Sequence, residues 1–387
     1  MVVMIRLLSA LLLLVPVMAF AQPLTSINFK DWYNPDSEVQ LSFNVIRNSR
    51  GIETHYRLQS KQPLAQYTVV WEKRDSFTQR EGLSIRPDTV KSFTDNEVHG
   101  SFYFEIPAKS WLLVAKVTQT VTKTSWVYFQ LIDPIWPVVG WLQNDQGQHA
   151  EKYMTIQKTY TVNCAESDQL FVSYFNSDFQ AATPPFSDRQ VKADRFIFYD
   201  STFTVKTGQV FVPRKLGLYL FQKDTNAAEG FAFRCTPEIY PKFSKIADLV
   251  DPLIYITTPE EFSELVKANG DKAKFDKVIL DITRDKDRAK TFMRNYFRRI
   301  ELANQYFSSY KTGWKTDRGM IYTIFGMPDE VSINDGSESW NYNSFKVRFT
   351  FVKSGSVYDP NHYVLLRDKR FTETWFSTID LWRKSRF

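Results

Sequence analysis

Cysteine is almost missing from this chain, with only Cys164 and Cys235 in 387 residues, and histidine is nearly as scarce, at four. A structural zinc site needs about four clustered thiolate or imidazole ligands. His55, His99, His149 and His362 stand alone in the sequence, so no metal is expected. The two cysteines lack the C-x-x-C spacing of a redox motif. The chain has no G-x-S-x-G, H-E-x-x-H, phosphate-binding loop or dinucleotide fingerprint. No catalytic residue or cofactor is expected from local pattern. After residue 21 no apolar run approaches the roughly 20 residues that span a bilayer. Charge of one sign is also scarce, with a net of +6 for the whole chain. No basic block is interleaved with aromatic residues, so a nucleic-acid partner is not expected.

What is present begins at the amino terminus. Arg6 precedes an apolar run over residues 7–17, followed by Ala19-Phe20-Ala21, the pattern of a secretory leader cleaved after Ala21. With no cysteine near that site, the expectation is an exported protein without a lipid anchor, in the periplasm or at the outer-membrane periphery. In an oxidising compartment the pair Cys164 and Cys235 is expected to be bridged. Such a bridge would close a loop of roughly 70 residues and stabilise it by about 4 kcal/mol. Aromatic residues make up 16% of the chain, favouring β structure and supplying large core side chains.

The length suggests three units after the leader, 1–21. Residues 22–133 read as a first antiparallel, Ig-like β-sandwich, with strands at 38–45, 66–71, 99–106, 111–121 and 126–132. Val39, Leu41, Phe43 and Val45 alternate with Gln40, Ser42 and Asn44, which buries one face. Asp133-Pro134-Ile135-Trp136-Pro137 removes two backbone donors and reads as a linker. Residues 134–238 read as a second sandwich, with strands at 169–175, 195–199, 202–205, 209–212, 216–221 and 230–235. Residues 239–387 read as an α+β module. Thr258-Pro259-Glu260-Glu261 caps a helix that stops near Gly270. A long helix over 285–310 follows, with Ala289, Phe292, Tyr296, Ile300, Ala303 and Phe307 on one face and Arg288, Arg294, Arg298 and Arg299 on the other. A small antiparallel sheet at 338–342, 346–351 and 363–366 closes the unit. Trp375, Ile379 and Trp382 near the carboxyl end read as a packing stripe, the alternative being an interfacial helix carrying Arg383, Lys384 and Arg386.

The densest stretch is Gly313-Trp314-Lys315-Thr316-Asp317-Arg318-Gly319 followed by Gly326-Met327-Pro328-Asp329-Glu330. Two glycine-bearing turns bracket the apolar run 320–325, which reads as a short buried strand. Together with Tyr322 and the upstream Ala303-Asn304-x-x-Phe307, this stretch resembles the signature of the GWxTD-domain family of exported Bacteroidota proteins. One departure is visible: of the Phe-Trp-x-x-Arg-Asp element that often precedes the long helix, only Arg284-Asp285 is kept. The resemblance implies an exported location and an architecture, and no reaction. The glycine-x-proline turn with Trp340-x-Tyr342 is also similar to small lipoproteins that help assemble outer-membrane proteins.

Asp317, Asp329 and Glu330 could be imagined as a carboxylate pair acting on a sugar, which requires two carboxyls about 5–10 Å apart across a cleft. The structural reading has Asp317 accepting backbone N–H groups and Pro328-Asp329 starting a turn. Trp314 reads as a core residue or, together with Trp340, as a stacking platform for a glycan. The sequence therefore favours a non-enzymatic exported adaptor that binds an envelope protein complex, with peripheral outer-membrane association. A glycan binder or glycoside hydrolase using Trp314, Trp340 or the acidic turns is the alternative.

Overall fold

The computed structural model describes residues 22–150, 152–176, 179–188 and 197–387. The leader assigned to residues 1–21 lies outside them. In β1 (Val39–Arg47) the residues at 39, 41, 43 and 45 pack inward and Gln40, Ser42 and Asn44 stand on the other face. In β2 (Gly51–Ser60), Ile52, Tyr56 and Leu58 are buried and alternate with His55, Arg57 and Gln59. Strands β3 (Tyr67–Arg74), β4 (Leu83–Ile85), β5 (Thr89–Thr94), β6 (Glu97–Glu105), β7 (Trp111–Gln119) and β8 (Ser125–Ile132) complete two sheets, ordered β1-β2-β6-β5 and β4-β3-β7-β8. Their inner faces share one core that includes Val39, Ile52, Trp71, Phe102 and Leu113. The expected linker is a packed corner instead. Trp136 is buried in that core and its indole N–H donates to the Val45 carbonyl at 2.8 Å.

The second β unit comprises β9 (Gly140–Asn144), β10 (Tyr153–Thr155), β11 (Tyr160–Cys164), β12 (Gln169–Phe175), β13 (Ser201–Lys206), β14 (Val210–Phe211), β15 (Gly217–Gln222) and β16 (Phe231–Thr236). They form sheets β14-β11-β9 and β10-β16-β15-β12-β13 around a common core. Of the strand expected at 195–199, residues 195 and 196 lie outside the described residues and 197–199 are irregular. The expected disulfide is not formed. Cys164 and Cys235 belong to different sheets, and both are free and buried. Each fills the core as a small apolar side chain. Burial raises both thiols, Cys235 to about 12.

The C-terminal part carries α1 (Ile246–Val250), α2 (Pro259–Ala268), α3 (Lys272–Thr283), α4 (Lys286–Phe307) and α5 (Asp317–Phe325). The antiparallel sheet β17 (Glu330–Asn334), β18 (Ser337–Tyr342), β19 (Val347–Lys353) and β20 (Tyr363–Leu365) follows, and α6 (Thr372–Arg383) ends the unit. Thr258 and Glu261 form the expected capping box of α2. The retained Arg284-Asp285 pair makes the tight junction between α3 and α4. Arg284 takes a left-handed backbone at the end of one helix, and the Asp285 carboxylate accepts the Asp287 and Arg288 N–H groups at the start of the next. Arg299, expected on the solvent face of α4, turns inward over Trp382 and Phe387, and burial lowers its pKa.

Residues 320–325 are helix, not strand. Thr316 caps α5 by accepting the Gly319 N–H at 3.0 Å, and Asp317 occupies the first turn. Every residue from Gly319 to Phe325 is buried, so the run shows no helical stripe to read. The C-terminal core also draws on the opposite end of the chain. Leu24, Phe29 and Tyr33 pack into it beside Leu112 and Val114 of β7. The Phe29 N–H donates to the Val331 carbonyl at 2.9 Å. The segment before β1 therefore fastens the first sandwich to the C-terminal module.

Candidate functional site

The sequence signature folds into a corner in which each residue type answers a packing demand. A Cβ at Gly313 would lie 2.1 Å from the Ala303 carbonyl oxygen, and one at Gly319 would lie 1.9 Å from that of Gly313. Both positions let backbone approach backbone. Trp314 is 3% exposed, its ring edge-on to Tyr255 at 5.9 Å. Its N–H donates to Asn304 Oδ1 at 3.2 Å, and its carbonyl accepts the Tyr255 hydroxyl at the same distance. Asn304, fully buried on α4, also donates to the Pro241 carbonyl at 3.1 Å. Thr316 donates to the Gly313 carbonyl at 2.7 Å while capping α5. Asp317 accepts the Leu365 N–H at 2.8 Å and pairs with the Arg367 guanidinium. Those two side chains are 6% and 0% exposed. Arg367 in turn donates to the Thr183 carbonyl at 3.0 Å.

The second half of the signature is consumed in the same way. Tyr322 donates to the Tyr33 carbonyl at 2.9 Å. Gly326 adopts φ of +85° against the Arg299 guanidinium, and Tyr342 donates to its carbonyl at 2.7 Å. Pro328 is buried, and exposed Asp329 accepts the Asn343 N–H at 2.7 Å to hold the turn before β17. Glu330 is exposed at the start of β17. Trp340 is fully buried and donates to Glu338 Oε1 at 2.6 Å. Neither tryptophan presents a ring face to a ligand. Asp317 joins neither Asp329 nor Glu330 in a carboxylate pair, since it is held by Arg367 in the interior while the other two are exposed.

Arg318 alone leads out of this corner. Its guanidinium pairs with Glu338 at 3.1 Å and lies over the Tyr363 ring at 4.5 Å. Burial opposes the charge, but Tyr33 and Glu338 outweigh it and raise the Arg318 pKa. The Tyr33 hydroxyl donates to the same carboxylate at 2.6 Å, and burial followed by that carboxylate raises its pKa.

Beyond Arg318 opens a cleft of about 1130 Å³, bounded by all three units. The first sandwich supplies Gln40, Ser42, Asn44, His55, Arg57 and Gln59 from the outward face of β1 and β2, with His99 of β6. The β9–β10 connection adds His149, and the C-terminal module adds Tyr306, Asn334, Lys353 and Tyr363. The His55 and His149 rings lie tilted to each other with centroids 4.0 Å apart, and His149 stacks on Trp141. Burial, reinforced by His55, pushes His149 down to about 3 although Glu53 opposes. Glu97 accepts from Arg57, His99 and Gln59, which bring its carboxyl to about 2 against the effect of burial. Among the described residues no group of three or more His, Cys, Asp or Glu side chains is placed to hold a metal ion. The cleft was missed in the sequence because β2 was. Its signal was there, in the alternation of Ile52, Thr54, Tyr56 and Leu58 with Glu53, His55, Arg57 and Gln59.

With this geometry in view, residues 217–384 match the family described as the GWxTD domain. The chain therefore contains a GWxTD domain. The matched segment begins at β15, so the GWxTD unit takes in the last two strands of the second sandwich as well as the helical module. No curated protein matches the chain. Among solved structures it is similar to a chimeric titin Z1Z2 functionalised with a KLER exogenous peptide from decorin, at 13% identity. That likeness covers 51% of this chain and 96% of the other with a TM-score of 0.18, too low to carry any argument.

Proposed function

We propose that this GWxTD-domain protein is an exported, non-enzymatic adaptor that binds an envelope protein complex. The observation that carries the reading is the state of the signature. Asp317 is spent on Arg367 and the Leu365 N–H, Trp314 lies in the core, and both glycines seal backbone contacts. A motif arranged in this way supports a scaffold, and recognition is left to outer surfaces. One such surface is the edge strand β13, where Phe203 and the neighbouring Phe171 are each 38% exposed, with Phe198 and Tyr199 more exposed still. An exposed edge flanked by exposed aromatic side chains suits the addition of a partner strand. Export rests on the leader pattern at residues 6–21, and peripheral outer-membrane association follows from the adaptor role.

The test is affinity capture from cross-linked envelopes with the wild-type chain and with a Phe198→Asp, Phe203→Asp variant of unchanged melting temperature. The expected result is a defined complex with the wild type that the variant loses. Recovery of nothing above background by the wild type would overturn the adaptor reading.

A further inference from the structure

The cleft beside Arg318 has a chemical character that the adaptor reading does not use. Planar amides converge on it from several elements: Gln40 and Asn44 on β1, Gln59 on β2, Gln130 on β8, Gln305 on α4 and Asn334 on β17. Each amide offers a donor and an acceptor together, the complement of a hydroxyl group. Among the described residues the side chains of Gln40, Gln305 and Asn334 make no hydrogen bond, so their capacity is unspent. Gln40 and Gln59 sit directly opposite each other across β1 and β2, with Ser42 opposite Arg57 and Asn44 opposite His55. That register sets a polar grid on one face of the sheet.

Some of the charged groups are engaged within the protein, while Asp31, Lys91, Asp133 and Asp335 line the cleft without an ion pair among the described residues. Arg57 is held by Glu97, Arg318 by Glu338, and Lys152 donates to the carbonyls of Gln305 and Tyr306. Lys353 is half-buried, and among the described residues its ammonium makes no ion pair; it lies over the Trp136 ring at 5.8 Å. Burial lowers its pKa, with Asp133, Asp359 and Asp335 opposing from beyond pairing distance. Aromatic rings of Trp32, Phe93, Tyr306 and Tyr363 interrupt the polar grid, and among the described residues the buried Tyr306 hydroxyl has no hydrogen-bond partner. Such rings offer faces to the C–H groups of a sugar ring.

A peptide fits this lining less well. The free edge of β1 is closed at the carbonyls of Val39 and Val45 by Tyr128 and by Trp136. A volume of about 1130 Å³ is ample for several sugar rings. We infer that the cleft binds an oligosaccharide, held by the unpaired amides of Gln40, Gln305 and Asn334 and by the Lys353 ammonium. The site is separate from Trp314 and Trp340, and it goes beyond the adaptor reading, whose envelope capture does not depend on it.

The experiment is retention of the full chain on an array of neutral and uronic-acid-bearing oligosaccharides. Calorimetric titration of the best-retained glycan follows, into the wild type and into two variants, Gln40→Ala with Asn334→Ala, and Lys353→Met. The expected result is retention of a related set of glycans, at least tenfold weaker affinity in both variants, and unchanged melting temperatures. Preferential retention of uronic-acid glycans that is lost in Lys353→Met would place the acid group at Lys353. Retention of no glycan, or affinity unchanged in both variants, would overturn the proposal. Displacement of the bound glycan by an acidic peptide of equal or higher affinity would overturn it as well.

Discussion

The signature corner and the cleft are joined through Arg318 and differ in nearly every physical respect. In the corner, hydrogen-bonding groups of the motif meet partners from the chain itself, and a Cβ at either glycine would collide with a carbonyl oxygen. In the cleft, among the described residues, three amides are left without side-chain hydrogen bonds and an ammonium without an ion pair. Satisfied, buried groups make structure, whereas unsatisfied groups along an open wall are available to a ligand. The density of the motif in sequence therefore marks where the module is built, and the sparse alternation of β1 and β2 marks where the first sandwich opens onto the cleft.

This contrast can be broken most severely at Gly319. Gly319→Ala places a methyl group 1.9 Å from a backbone oxygen that cannot move without shifting the start of α5. A loss of at least about 3 kcal/mol is expected, read by chemical denaturation. Next come Trp314→Ala, at about 3–5 kcal/mol for an emptied aromatic site, and Asp317→Ala, at about 3–5 kcal/mol because Arg367 is stranded in the interior. Intact stability in either would place function in the corner after all. A pH series sharpens the other side. His149 is held near 3 when folded and titrates near 6.5 when unfolded, so the unfolded chain binds more protons between those values. Its contribution is complete above about pH 6.5 and is lost as pH falls toward 3, by up to about 1.4 kcal/mol per pH unit. His149→Gln should flatten that part of the stability curve. The smallest effect is expected for Gln40→Ala, within about 0.5 kcal/mol of wild type, since its amide supports nothing in the fold.

Much of the architecture was legible in the residues. The β1 alternation, the Thr258 capping box and the apolar stripe of α4 each follow from a period or a cap, and all three appear in the structure. Helix α5 reads as a strand in the sequence because the mostly apolar run 320–325, buried throughout, carries no period, although Thr316 and Asp317 already mark a helix start. The docking of Leu24, Phe29 and Tyr33 into a core some 300 residues away has no local signal. The fate of Cys164 and Cys235 likewise depended on tertiary placement, since both serve a dry core as free thiols. Of the site, the signature residues were all identified, but their roles became clear only with Asn304, Arg367 and Tyr255, which lie far apart in sequence. The cleft needed three units in place before its amides could meet.

The central claim is that the signature holds the module together, and the pair Asp317 and Arg367 tests it most directly. Calorimetric melting of the full chain is measured for Asp317→Leu, Arg367→Met and the two combined. The account predicts that each single variant loses several degrees and that the combination recovers most of that loss, because a buried pair can be replaced by apolar side chains once neither charge is stranded. Wild-type melting in Asp317→Leu, accompanied by loss of the captured envelope complex, would contradict it.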